Sequence, residues 1–170
     1  STIQEGVEKF PAQEYFIGNL MDYYIQKGKI DEGLTQMDAV LAKNSTPYFM
    51  YVKGVLQYEK KDYEGAIATF NQIIAEGKDF VAEAYSKIGD CSFFPAQEIV
   101  EENSKLSMDD PKYAANEAKI KELYEKAFPF YEKAKEAKPD NRQLWGQYLL
   151  NIYWKLDKEK YNALEKELGY

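Results

Sequence analysis

Three pairs of adjacent acidic residues are the first candidates for chemistry in this sequence: Asp31-Glu32, Glu101-Glu102 and Asp109-Asp110. Paired carboxylates can act as general acid and base, or can bind calcium through their oxygens. None of the three pairs has the ligand spacing of an EF-hand loop. Adjacent residues of a helix also point in different directions, so the two carboxylates of a pair do not converge on one substrate. We therefore expect these pairs to be solvated helix surface.

The usage of histidine and cysteine narrows the chemistry further. The sequence has no histidine, which removes the commonest general base and the commonest transition-metal ligand. Its one cysteine, Cys91, can form no internal disulfide, and its apolar and aromatic neighbours predict a buried, inert thiol. Zinc-finger sites and Cys–His or Ser–His nucleophile pairs are excluded by the same counts. We predict no catalytic residue, no metal site and no cofactor, and hence a protein that is not an enzyme.

Composition also limits the possible partners. Acidic residues outnumber basic ones by 29 to 22, and the resulting net charge of -7 argues against a nucleic-acid-binding surface. No apolar stretch approaches the roughly 20 residues that a membrane-spanning helix needs. The hydrophobic fraction of 45% is that of a folded globular protein. We expect no nucleic-acid partner and no membrane insertion by this segment.

The elements that would position any functional side chain are helices that repeat along the chain. Apolar residues recur at steps of three and four, which predicts helices and no sustained strands. A pattern of helix, tight turn and second helix returns after 33 residues, so that Gly33 aligns with Ala66 and Met37 with Phe70. Repetition with such a period is typical of proteins whose units bury their apolar faces against their neighbours.

These units resemble the tetratricopeptide repeat, a helix–turn–helix motif of about 34 residues. The residues that carry the resemblance are small, apolar or aromatic, and lie at matching places in two units: Leu20, Tyr24, Gly28, Gly33, Met37 and Val40, then Gly54, Tyr58, Ala66, Ile67 and Phe70. The resemblance implies an all-α fold, a right-handed α–α superhelix of helix–turn–helix repeats. The small residues are expected where two helices cross closely, as are Ala127 and Ala134.

The resemblance also divides the chain, which we predict to be a single array over residues 1–170. Repeats are expected at 14–46, 47–80 and 81–141, followed by a terminal capping repeat at 142–170. Gly6 and Pro11 make residues 1–13 similar to the end of a preceding repeat, so the chain is predicted to be the C-terminal part of a longer repeat protein.

The third repeat contains an insert at about 95–121, which predicts a helical hairpin longer than the others. Pro95 is expected to kink or end the first helix of this hairpin, since proline removes a backbone donor. The hairpin is expected to turn near Ser107–Asp110, and Asp110-Pro111 reads as an N-cap followed by proline at the first helical position. Two interpretations stay open for the insert: a hairpin packed against the next unit, or a docking arm.

In the family that this chain resembles, the first helix of each repeat lines a concave groove that binds partner proteins. Mapping the repeat pattern onto this sequence places eight candidate residues in such a groove: Asn19, Tyr48, Tyr51, Tyr58, Phe93, Phe94, Tyr153 and Trp154. Aromatic rings suit an apolar or extended peptide, because they offer large contact area with few rotatable bonds. The predicted function is a non-catalytic scaffold that binds a protein or peptide partner through the concave face.

Two alternatives to this function stay open. The chain could be a structural or self-association domain that forms a homodimer through its exposed rings. It could instead be a cell-surface helical protein that binds glycans on aromatic platforms such as Trp154. The insert and the terminal unit resemble a bacterial, often exported, subgroup of tetratricopeptide-repeat proteins, which favours a periplasmic or otherwise exported location over the cytoplasm.

Overall fold

A computed structural model describes residues 14–169 of the chain. Over this range the chain forms eight α-helices and no strands, which confirms the all-α prediction. A short 3-10 helix, Arg142–Leu144, precedes the last two helices. The α-helices are α1 (Glu14–Gln26), α2 (Ile30–Lys43), α3 (Pro47–Glu59), α4 (Tyr63–Glu76), α5 (Val81–Asn103), α6 (Pro111–Ala137), α7 (Gly146–Leu156) and α8 (Lys158–Leu168). Residues 1–13, the predicted end of a preceding repeat, lie outside the described range.

The helices form two compact units, and the boundary between Ala84 and Tyr85 falls in the first turn of α5. In the first unit, α1 packs against α2 and α3, and α3 packs in turn against α2 and α4. Helices α3 and α4 each begin at a residue whose side chain caps the helix N-terminus. Thr46 Oγ1 accepts a hydrogen bond from the backbone N–H of Phe49 at 3.2 Å, and Asp62 Oδ1 accepts one from Gly65 at 3.0 Å.

Close crossings between glycine on one helix and an aromatic ring on the next fix the helix pairs. A Cβ added to Gly54 on α3 would lie 2.5 Å from Cε1 of Phe70 on α4, closer than two carbon atoms can approach. In the second unit, a Cβ added to Gly89 on α5 would lie 2.8 Å from Cζ of Tyr131 on α6. Ala66 and Ala127 are fully buried, which confirms the prediction that small residues occupy tight packing positions.

The second unit has an aromatic core with one buried carboxylate in it. Asp90 is 2% exposed, and its Oδ1 accepts a hydrogen bond from the hydroxyl of Tyr131 at 2.7 Å. Its Oδ2 pairs with Lys87 Nζ at 2.8 Å, so both oxygens have a donor, as a buried charge requires. The core also contains Phe93, Ala96, Ile120, Tyr124, Ala134, Trp145, Leu149, Leu150, Ile152, Tyr153 and Leu164.

The hairpin made by α5 and α6 is long, with 23 and 27 residues against 13 and 14 in α3 and α4. Pro95 was expected to kink or end the first helix, and the structure shows that it does not end it, because α5 continues through it to Asn103. Proline removes one intrahelical hydrogen bond. The burial of the next residue, Ala96, in the core supports the helix at this point.

The far part of this hairpin contacts α7 as well. Lys155 on α7 forms an ion pair with Glu117 on α6, and Glu117 also accepts a hydrogen bond from Asn103 Nδ2 at 3.1 Å. Ile120 on α6 is buried in the core cluster that α7 helps to form. Asp110 caps α6 by accepting from the N–H of Lys112 at 2.8 Å, which confirms the predicted cap. These contacts favour the packed hairpin over the docking arm.

We expect Gly54→Ala to destabilise the protein although alanine is the better helix former. Removing glycine from a helix gains up to about 1 kcal/mol, whereas overpacking against a buried ring costs roughly 1–3 kcal/mol. The net loss in the free energy of unfolding should be about 1–2 kcal/mol by urea denaturation. Gly146→Ala is the control, because the nearest atom to its added Cβ is 3.6 Å away. Equal effects of the two substitutions would contradict the close crossing.

Tyr131→Phe should destabilise the second unit, because it removes one of the two donors to the buried carboxylate of Asp90. Loss of a hydrogen bond to a buried charged group costs about 1–3 kcal/mol. The matched control is Tyr161→Phe, whose hydroxyl donates to the half-buried Glu165 at 2.8 Å, where water can replace it. That control should cost about 0.5 kcal/mol or less. Thermal and urea denaturation of both variants would measure the difference.

Candidate functional site

An apolar groove lies between α1 and α3 in the first unit, with a volume of about 140 Å³. Each helix contributes one stripe of side chains, because residues three and four positions apart share a helix face. We call this the α1–α3 groove. Its lining residues are Gly18, Met21, Asp22 and Ile25 from α1 and Tyr48, Tyr51, Val52, Val55 and Leu56 from α3.

The tyrosines on the α3 side of the groove are held in place by a third ring. The ring of Phe80 stacks on that of Tyr51 with centroids 5.4 Å apart, and lies 5.7 Å from that of Tyr48. Phe80 has a φ of 65°, in the left-handed region that residues other than glycine rarely adopt. Such a backbone conformation persists where the surroundings impose it. The groove rings therefore have a defined orientation before any partner arrives.

On the α1 side, the groove is lined by a glycine, Gly18, and by the carboxylate of Asp22. A Cβ added to Gly18 would lie 3.1 Å from the hydroxyl oxygen of Tyr48, so the missing side chain lets the tyrosine lie close to α1. Asp22, four residues later on the same helix face, has an exposed side chain at the groove. The groove thus has an apolar floor and a single acidic group at its edge.

Of the candidates predicted from the sequence, the structure brings Tyr48 and Tyr51 together in the α1–α3 groove. Asn19 is exposed on α1 beside the groove but does not line it. Tyr58 is half-buried in the last turn of α3, where its ring lies 5.7 Å from that of Tyr63 and outside the groove lining. Phe80 was missed, because it belongs to a turn and not to the helical stripe used for the prediction.

Two further candidates are core residues of the second unit and do not line a surface. Phe93 is 4% exposed, and its ring stacks on that of Tyr124 with centroids 5.7 Å apart. Tyr153 is 7% exposed, and its hydroxyl donates a hydrogen bond to Glu132. Burial, followed by this bond to Glu132, raises the pKa of Tyr153 above its ordinary value. Helical periodicity could not tell which ring of each adjacent pair, Phe93-Phe94 or Tyr153-Trp154, is buried and which is exposed.

The last two candidates are those exposed neighbours. Phe94 is 39% exposed and Trp154 is 63% exposed. The ammonium of Lys158 lies 3.5 Å from the centroid of the Trp154 ring, and the Tyr161 ring meets it edge to face at 5.2 Å. Lys158 therefore already supplies a cation to the exposed face of this tryptophan.

A larger cleft, of about 600 Å³, lies in the second unit among α6, α7 and α8. Leu149 and Leu164 contribute apolar lining, and two ion pairs join α6 to α8. Lys135 pairs with Glu167 at 2.5 Å, and Lys160 pairs with Glu132 at 3.1 Å. Most of the charged groups around this cleft are thus satisfied within the unit, so its polar lining does not call for a ligand.

Two of the three acidic pairs that opened the sequence analysis contribute surface ion pairs, while Asp110 of the third caps α6. Asp31 pairs with Lys60 at 2.6 Å, and Glu101 pairs with Lys105 at 2.9 Å. The bond from Lys105 holds the pKa of Glu101 below its usual value. Within residues 14–169 no three acidic or cysteine side chains are grouped so that they could hold a metal ion. The described helices include none with the length and apolar character needed to cross a membrane.

Cys91 lies on α5 and is buried, as predicted from its neighbours. Its thiol donates to the backbone carbonyl of Lys87 at 3.3 Å. Burial first, and then the charge of Asp90, raise the pKa of Cys91 to about 12. A thiol in this state is protonated at neutral pH and is a poor nucleophile.

The described helices form successive hairpins, and a glycine of one helix packs against an aromatic ring of the next. Comparison with family models then matches residues 19–79, from α1 to just beyond α4, to the tetratricopeptide repeat. Residues 19–79 are therefore similar to tetratricopeptide repeats. A comparison with solved structures finds a crystal structure of a tetratricopeptide repeat protein from Parabacteroides merdae ATCC 43184, with 16% sequence identity, coverage of 98% of this chain and 69% of that chain, and a TM-score of 0.44. No curated protein matches the sequence.

We expect Cys91 in the native protein to resist Ellman's reagent at pH 8 and to react fully in 8 M urea. The free energy of unfolding should also fall as the pH rises from about 9 towards about 12. Over that interval the unfolded thiol releases its proton while the folded thiol keeps it, so the folded state binds more protons and loses stability with pH. Comparing this slope in the natural chain and in Cys91→Ala isolates the thiol from tyrosine and lysine titration. Rapid native labelling, or equal slopes, would contradict the buried thiol.

Proposed function

We propose that the first unit binds an extended, largely apolar segment of a partner protein in the α1–α3 groove. Tetratricopeptide repeats usually act as scaffolds for protein interactions, and this chain carries them over residues 19–79. The observation that supports the groove as the site is its lining, in which rings and aliphatic side chains from two helices converge and Phe80 holds the rings in place. Preorganised aromatic contacts lose little entropy when a partner binds.

The size of the groove indicates what occupies it. Pockets that enclose cofactors and drug-sized ligands measure about 300–1,000 Å³. The α1–α3 groove, at about 140 Å³, is smaller than this range. One or two apolar side chains of a peptide suit it better than a whole small molecule. Burying one such side chain contributes roughly 1.5–3 kcal/mol, or about a tenfold to hundredfold gain in affinity.

Selection from a random-peptide phage library on the immobilised chain would test this proposal. The enriched peptide is then labelled, and its Kd is measured by fluorescence polarisation for the natural chain and for Val55→Asp. Val55 is half-buried in the groove lining, so this substitution places a charge against the docked side chain. We expect affinity to fall by at least about tenfold, the effect of losing about 1.4 kcal/mol.

Trp154→Ala is the matched control, since it removes the most exposed tryptophan, which belongs to the second unit. Circular dichroism and thermal denaturation would show that both variants fold. Full binding by folded Val55→Asp, or loss of binding in Trp154→Ala alone, would reject the groove. Failure to enrich any peptide would also count against the proposal.

A further inference from the structure

The α1–α3 groove has an uneven distribution of charge. Among its described lining residues Asp22 alone is charged, and its carboxylate has no ion-pair partner within residues 14–169. Some other acidic residues of the first unit do have partners. Asp38 pairs with Lys53 at 2.7 Å and Glu32 pairs with Lys29 at 3.0 Å. The unpaired carboxylate therefore lies where a partner would dock.

A docked segment would change the surroundings of this carboxylate. Asp22 lies one helical turn from both Gly18 and Ile25 on the face that lines the groove, so a side chain seated on that lining displaces water beside it. Removing water from a carboxylate is unfavourable unless a cation or a hydrogen-bond donor replaces it. A lysine or arginine of the partner would supply that replacement, while a glutamate or aspartate would add repulsion.

We propose, resting on the proposed function, that the groove selects partner segments in which a lysine or arginine stands close to the apolar residue that fills it. The cation pairs with Asp22, while the apolar side chain occupies the space beside Met21, Tyr51 and Val55. The net charge of -7 speeds the approach of basic segments, while the difference in affinity comes from the contact with Asp22. The groove thereby distinguishes partners by charge as well as by apolar content.

A peptide array with defined charges tests this selection. Each peptide has one apolar residue in a Ser-Gly background, with Lys, Gln or Glu placed one to four positions away. We expect the chain to bind the Lys peptides best and the Glu peptides least. The best Lys peptide and its Gln counterpart are then compared in solution by fluorescence polarisation. Exposed ion pairs are modest, so we expect the Lys peptide to bind about fivefold more tightly at low salt.

Substitution of Asp22 shows whether this carboxylate is the source of the preference. In Asp22→Asn the affinity ratio of the Lys peptide to the Gln peptide should fall to about one, and in Asp22→Lys the Glu peptide should become the favoured one. Glu64→Gln is the control, because it removes an exposed carboxylate of α4 that does not line the groove. It should leave the ratio unchanged. Raising the salt concentration to 0.5 M should reduce the ratio for the natural chain.

The outcomes separate this inference from the function on which it rests. If the apolar peptides bind and Val55→Asp abolishes binding, but Lys and Gln peptides bind alike, charge selection is wrong and the groove function stands. A Lys preference that survives in Asp22→Asn also overturns the assignment to this carboxylate. If no peptide of any charge binds the natural chain, both proposals fail.

Discussion

The contact on which the rest of the fold depends is that of an aromatic ring against a glycine where two helices cross. Phe70 lies against Gly54 in the first unit, and Tyr131 lies against Gly89 in the second. Because glycine has no side chain, the two helices can approach closely at this point, and the aromatic ring fills the space between them. Both units therefore solve the same packing problem with different residues. Because no single hairpin can bury its own apolar face, these crossings fix the positions of the surfaces that remain open.

The position of the candidate groove follows from that constraint. Gly54 on α3 packs against α4, while Tyr48 and Val55 line the groove towards α1. Tyr51 lies between the two faces, since it lines the groove and its ring also lies 5.8 Å from that of Phe70 on α4. On α1, Gly18 acts as Gly54 does on α3: its missing side chain lets the hydroxyl of Tyr48 approach the helix. The position of the groove thus follows from how the helices pack, while its charge and its rings come from the side chains that line it. The packing contact and the candidate groove thus use neighbouring faces of one helix.

The helices and their tight crossings could be predicted from the sequence, because periodicity and small residues at repeated positions are direct signals of packing. The groove could be predicted only in part. Tyr48 and Tyr51 line it, but Phe93 and Tyr153 are buried, because stripe patterns do not tell a ring covered by a neighbouring helix from an exposed one. Phe80 had no signal in the pattern, since its place depends on a left-handed turn residue. Local rules therefore identified helix faces, and tertiary contacts decided which faces were covered.

The α1–α3 groove and the cleft of the second unit differ in a way that bears on function. The cleft of the second unit is the larger, but ion pairs such as Lys160 with Glu132 span its edges. A ligand there would have to displace interactions that the unit already makes, at a cost in free energy. The α1–α3 groove is smaller and apolar, and its carboxylate, Asp22, gains an ion pair only from outside the described chain. Size alone would favour the cleft, whereas the groove offers an apolar lining together with a carboxylate that a partner's cation can pair with. Burial of apolar surface in the groove is the larger of these two contributions to binding, since an exposed ion pair contributes little.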